Sequence, residues 1–202
     1  MVIVAIAGGT GSGKTTLAKK IIDSYQNIKI NYLSLDSYYK DFSQMSFAER
    51  SKINFDHPDS IDFDLFYQQI NEYLTGSDIK TPTYSYKRHK RLKKKGNLRQ
   101  GDLLIVDGIL ILLKKSIRDF FDLSIFLKVN SSERLKRRIR RDINERGRSK
   151  IEISDRFYNM IKPMHKKYVK PSENFADVVL GEDYDYELIK IKIDQLLNGN
   201  HK

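Results

Sequence analysis

Cysteine is absent from the 202 residues, which excludes disulfides, thiolate metal sites and cysteine nucleophiles together. Any metal is left to oxygen or histidine ligands. Long apolar runs are missing as well: the stretch Leu103 to Leu113 is interrupted by Asp107 and Gly108 and is too short to cross a bilayer. Met1 to Ala7 carries no basic leader and runs at once into glycines, so the expectation is a cytoplasmic protein without a secretory signal. Internal repeats, low-complexity linkers and shifts of composition are also lacking. A single domain over residues 1–202 is expected, with a loose tail at Asn198 to Lys202. An apolar content of 40% suffices for a sheet covered by helices on both faces.

Acidic residues are in deficit, 26 against 37 Lys and Arg, which gives a formal charge of +11. The excess is concentrated in Lys87 to Lys95, which has seven basic residues and no acid, and in Glu133 to Arg148, which has eight against three. Each run is either a solvated face or a surface for anions. Position relative to the rest of the sequence must decide.

Val2 to Ala7 is a short apolar run ending in Gly8 and Gly9, the pattern of a buried parallel strand feeding a tight turn. Leu17, Ile21, Ile22 and Tyr25 then recur at helical spacing. Further strands are expected at Ile30 to Leu35, Leu103 to Val106, Leu123 to Val129 and Asp177 to Leu180. Helices are expected at Phe63 to Leu74, Ser132 to Glu145 and Tyr184 to Leu197, the last with a stripe of Leu188, Ile189, Ile193, Leu196 and Leu197. Alternation of this kind means an α/β fold with a parallel sheet of about five strands. Thr81 to Leu98 fits a polar β-hairpin projecting from it.

Between the first strand and helix stands Gly8-Gly9-Thr10-Gly11-Ser12-Gly13-Lys14-Thr15, the G-x-x-x-x-G-K-[ST] phosphate loop. Its glycines let successive N–H groups converge on phosphate oxygens, and the helix that follows directs its positive end to the same place. Lys14 is expected to reach the β- and γ-phosphates of a nucleoside triphosphate, ATP or GTP. Thr15 offers a hydroxyl to Mg2+, a hard ion that takes few protein ligands. Thr16 joins this phosphate-binding set, although a structural role is open to it. Asp107 closes the apolar run Leu103 to Val106 and is the candidate second metal ligand; capping the following segment is its other reading. Asp36, just past the strand Ile30 to Leu35, falls at the carboxyl edge of the sheet, where it is either a turn former or the general base of a phosphoryl transfer.

Five segments in order make the sequence resemble the bacterial uridine kinases, the uridine-cytidine kinase family. They are Asp36-Ser37-Tyr38-Tyr39-Lys40-Asp41, Asn54-Phe55-Asp56-His57-Pro58-Asp59, Pro82-Thr83-Tyr84-Ser85-Tyr86 with His89, Asp107-Gly108-Ile109-Leu110, and Arg141-Asp142-Ile143-Asn144-Glu145-Arg146-Gly147-Arg148. The similarity runs from the first strand to about Val179. It implies a three-layer P-loop kinase fold with an arginine-rich helical lid at about 134–150 and a hairpin at about 81–98. The implied activity is transfer of the γ-phosphoryl of ATP or GTP, with Mg2+, to the 5′-hydroxyl of uridine and cytidine in pyrimidine salvage. Asp36 and Lys14 are then catalytic. The resemblance places Asp36, Tyr38, Asp56, Tyr84, Tyr86, His89, Arg138, Arg148 and Arg156 at the nucleoside, and Arg141 and Arg146 nearer the phosphates. It also implies a homotetramer.

The chemistry of the residues agrees with those roles. A nucleoside presents ribose hydroxyls and a flat base, so its pocket needs carboxylates for the first and aromatic faces for the second. Taken alone, two tyrosines two apart on a strand make a packed face and a lone histidine is incidental. Arginine suits a lid because its planar fork stays charged and grips phosphate oxygens through two donors. In three places the chain departs from the family. Asp107 stands where glutamate is common, Arg156 where some relatives have glutamine, and Leu180 to Tyr184 replaces a Pro-Arg-Gly turn. A phosphoribulokinase- or pantothenate kinase-like enzyme shares the phosphate loop and is the alternative, but should lack the Tyr84 to His89 elements. A nucleic-acid ATPase finds no recognisable nucleic-acid motif in the chain, so no specific nucleic-acid partner is expected.

Overall fold

The computed structural model describes residues 1–199. At its centre is a sheet of five parallel strands: β1 (Val2–Gly8), β2 (Ile30–Ser34), β7 (Leu103–Asp107), β8 (Leu123–Leu127) and β9 (Val178–Leu180), in the order β2-β7-β1-β8-β9. The alternation of side chains along each strand builds two cores. Ile3, Ala5 and Ala7 of β1, with Leu104, Val106 and Phe126, face the layer holding α3 (Phe63–Leu74). Val2, Val4 and Ile6, with Leu103, Ile105 and Ile125, face α1 (Lys14–Asp23) and α8 (Tyr186–Gly199). Both faces are covered, so the strands read as continuous apolar runs. This is the three-layer α/β fold expected of a P-loop kinase.

The strand registers align the functional segments. Ile6 pairs with Asp107, and Asp107 with Ser34, so β1, β7 and β2 end side by side. From β1 the chain passes into the phosphate loop, and from β2 into the turn Leu35–Tyr38 that carries Asp36. The expected hairpin is two nested ladders apart from the main sheet: β3 (Ile79–Thr81) pairs with β6 (Gly96–Leu98), and β4 (Tyr84–Ser85) with β5 (Lys90–Arg91). Helix α3 falls on the residues expected of it, with Asp62 capping its first turn through Leu65 N.

Three parts differ from expectation. A short helix, α2 (Phe47–Lys52), precedes Asn54, closed by a reciprocal capping box between Ser46 and Glu49. Another short helix, α4 (Lys115–Arg118), follows β7. Beyond α5 (Ser131–Arg146), residues 150–175 form a continuous helical rod: α6 (Lys150–Arg156), α7 (Lys162–Met164), π-helical turns at Phe157–Ile161 and His165–Val169, and a last 3-10 stretch. Its buried apolar residues Ile153, Phe157, Ile161 and Val169 recur every four or eight positions rather than at 3.6, as wider turns require. Leu188, counted in the stripe of α8, is exposed, whereas Ile189 and Ile193 are buried. Asn198 and Gly199 end α8; the rest of the expected tail, 200–202, lies outside the described residues.

Candidate active site

At the carboxyl edge of β1 the loop of residues 8–13 turns back under α1. Gly11 has φ 76°, and a Cβ there would run into the Arg134 carbonyl, so only glycine fits. Gly13 caps α1 with φ 96° and no side-chain cap, which leaves the first-turn N–H groups free for an anion. Thr10 and Ser12 are buried in the loop, whereas Thr15 and Thr16 are exposed on the first turn of α1. The Lys14 ammonium donates to the Gly8 and Gly9 carbonyls at 3.0 and 3.1 Å. Burial lowers its pKa, against the pull of Asp107 and Asp36. Thr15 Oγ1 donates to Asp107 Oδ2 at 3.1 Å. One hydroxyl and one carboxylate beside the loop are the sparse oxygen set that suits a hydrated Mg2+ completing its shell on phosphate.

Next to the loop opens a cavity. Thr10, Asp36, Arg138 and Arg141 stand at its phosphate-loop end, and Phe55, Tyr84, His89, Arg148 and Arg156 are also in its wall. Asp36 has its carboxyl pushed up to about 6, first by burial and then by the neighbouring charge of Asp107, with Lys14 opposing. Asp56 is raised by burial, against Arg138 and Arg156. Phe55 stacks on His89 at 5.3 Å and 14°, while Tyr39 meets Phe55 at 4.9 Å and Tyr84 at 5.1 Å edge-on. Tyr86 extends this aromatic group and receives the Arg146 guanidinium over its ring at 4.5 Å. His89 has φ 48°, a positive value unusual for a residue other than glycine. Burial and the surrounding arginines push its pKa down to about 4, so the ring is neutral at pH 7.

The arginines come from α5 and the turn after it. Arg138 donates to Thr10 Oγ1 at 2.8 Å, which ties the helix to the phosphate loop. Arg138, Arg141 and Arg146 all reach the fully buried Asp142, at 3.3, 2.8 and 3.5 Å. Burial alone would raise that carboxyl, but the three guanidinium groups outweigh it and hold it below the usual range. Arg148 reaches His89 Nε2 at 3.1 Å, and Arg156 donates to the carbonyls of Ser51 and Ile53.

Thus Asp36, Asp56, Tyr84, Tyr86, His89, Arg138, Arg141, Arg146, Arg148 and Arg156 meet in one cavity. Tyr38 does not join them: its ring is buried edge-on to Phe66 and its hydroxyl donates to Gln69. A 3-10 turn swings successive side chains by about a third of a turn, so the next residue, Tyr39, faces the cleft instead. Sequence reasoning missed Tyr39, Phe55 and Asp142. Asp142 was legible, because Arg138, Asp142 and Arg146 are four apart and share one helix face.

The sequence from residue 3 to 185 matches the model of the phosphoribulokinase/uridine kinase family. A uridine kinase of Streptococcus pyogenes serotype M5 (strain Manfredo) is 41% identical over 181 residues, covering 90% of this chain and 87% of that protein. One of Streptococcus thermophilus (strain LMD-9) is 37% identical over 205 residues, covering 100% and 97%. Among solved structures, phosphoribulokinase from Rhodobacter spheroides shares the fold with a TM-score of 0.67 at 15% identity, covering 89% of this chain and 69% of that one. With the phosphate loop, the paired Thr15 and Asp107 and the arginine-lined cleft in place, the chain belongs to the phosphoribulokinase/uridine kinase family.

Proposed function

We propose that this chain is a uridine kinase, which transfers the γ-phosphoryl of ATP or GTP to the 5′-hydroxyl of uridine, and of cytidine, in the cytoplasm. One observation carries the reading: a half-buried carboxylate, Asp36, lies between a phosphate loop and an aromatic cavity whose wall also holds Asp56. Asp36 orients the 5′-hydroxyl and accepts its proton. The loop N–H groups and Lys14 hold the β- and γ-phosphates, and Arg138, Arg141 and Arg146 neutralise charge as the phosphoryl group moves. Thr15 and Asp107 would hold Mg2+, which supplies charge neutralisation on the phosphate oxygens. Asp56 accepts hydrogen bonds from ribose, and the rings of Phe55, Tyr84 and Tyr86 take the base. A sugar-phosphate kinase of the same family would have no use for that aromatic wall.

The test offers purified protein, Mg2+ and ATP or GTP each of uridine, cytidine, 2′-deoxyuridine, ribulose 5-phosphate and pantothenate, while diphosphate release is followed. Uridine-dependent release is expected, with 2′-deoxyuridine poorer by roughly 5- to 150-fold because an Asp56 lone pair is left unmatched. Release with ribulose 5-phosphate or pantothenate alone overturns the reading.

A further inference from the structure

A second cavity lies between the end of β8, the start of α5 and the helical rod, and no residue of its wall is shared with the cleft described above. Two of its side chains reach the phosphate loop. A Cβ on Gly9 would collide with Arg134 Nη1 and with His165 Nδ1, so the two nitrogens are neighbours against the loop. Arg134 is 2% exposed, and its Nε donates to Val129 O at 3.2 Å. Its Nη1 and His165 Nδ1 are both buried and find no hydrogen-bond partner among the described residues. Burial first, and then Arg134 and Lys14, push the His165 pKa down to about 4, so the ring is neutral at pH 7 and can donate from Nδ1 as well. A buried guanidinium donor without an acceptor is costly, and a ligand oxygen relieves the cost. Lys162, Lys166 and Lys170 are exposed parts of the same wall, and its one acid, Glu173, is taken by Lys128 at 3.3 Å. These three lysines and Arg134 are thus left with no free carboxylate in the wall. Four such charges suit a dianion, and the planar fork of arginine suits phosphate oxygens. Val129, Pro163 and the ring of Tyr158 add apolar surface.

We propose that this cavity is a second anion site, which takes a small phosphate ester with an apolar body, and that its occupancy weakens triphosphate binding at the loop. The site stands without the kinase reading; its effect on the donor rests on that reading. The phosphate of the ester lies by Arg134 and His165 against the loop, and its body lies along Pro163 and Tyr158. Arg134 is the link, because its side chain meets Gly9 and its carbonyl stands where a Cβ on Gly11 would go. Lys14 acts on His165 from the same loop. An anion in the cavity and a triphosphate on the loop therefore draw on one positive field and repel each other. Such coupling is reciprocal, so each ligand weakens the other by the same factor.

The experiment titrates phenyl phosphate by calorimetry into protein whose loop and cleft are filled with Mg2+, the non-hydrolysable analogue AMP-PNP and uridine. It is run on the wild type and on the exposed double variant Lys162→Glu, Lys166→Glu. Expected is one site per chain in the wild type, roughly 10-fold weaker in the variant. Saturating phenyl phosphate should raise the Kd of AMP-PNP roughly 5-fold or more in the wild type alone. Equal affinity of wild type and variant for phenyl phosphate, or binding seen only while the loop is empty, overturns the site. Inorganic phosphate bound as tightly as phenyl phosphate overturns the apolar body, and an AMP-PNP affinity that the ester leaves unchanged overturns the coupling. If AMP-PNP does not bind at all, the donor part of the kinase reading fails, and the same titration of free wild type and free variant decides the site alone.

Discussion

Replacing Asp36 with asparagine should make the protein both slower and more stable, and the size of each effect follows from its environment. Burial and the nearby Asp107 raise the Asp36 carboxyl from 3.8 to about 6, although Lys14 opposes them. At about 1.36 kcal/mol per pH unit, the ionised carboxylate destabilises the empty fold by about 3 kcal/mol at most. The folded state holds this proton more tightly than the unfolded chain, so stability contributed by Asp36 is present below pH 3.8 and is lost as pH rises to about 6. Asp36→Asn should therefore match the wild type in stability near pH 3.5 and exceed it above pH 7, as read by denaturant melts at the two pH values. Catalysis runs the other way, because only the ionised form accepts a proton. In the wild type, kcat/KM for uridine should fall about tenfold per pH unit below about 6, and Asp36→Asn should lower kcat by roughly 10²- to 10⁴-fold at pH 7.5 and remove that acid limb. A flat wild-type profile from pH 5 to 8 would refute the assignment, as would a variant that is neither stabilised at pH 8 nor slowed.

Asp142→Ala leaves three guanidinium groups around an empty, buried position and should cost about 3–5 kcal/mol of stability in denaturant melts, with a rise in KM for the triphosphate; a variant as stable as the wild type contradicts the shared-anion arrangement. Thr15→Ala removes the hydroxyl that donates to Asp107, so it should cost about 1 kcal/mol of stability in denaturant melts while raising the Mg2+ concentration for half-maximal activity by roughly tenfold; an unshifted Mg2+ titration separates Thr15 from the metal.

Much of the architecture was legible because each strand is buried on both faces and each main helix is amphipathic, which are the patterns that periodicity detects. The rod at 150–175 escaped because its π turns break the 3.6-residue repeat and Pro163 and Pro171 read as breakers. Helix α2 carries its signal openly in Ser46 and Glu49, but six residues are too few to show a face. Within the site, the phosphate loop and the two strand-end aspartates were accessible to reasoning about residue type and position. The choice between Tyr38 and Tyr39 was not, since it depends on the pitch of a four-residue turn. The relation of Arg156 to Ser51 and Ile53, more than a hundred positions away in the chain, exists only once the rod has packed against the cleft.

Lys14, bent onto the Gly8 and Gly9 carbonyls, places an internal cation within the loop proposed to take the triphosphate. A lysine free in solvent would lose about 2 kcal/mol of rotamer entropy on clasping a phosphate. Here two backbone hydrogen bonds already order the side chain on folding, so binding of the proposed donor would exchange one set of oxygens for another. The loop's own backbone thus preorganises the cation that the proposed phosphate would meet.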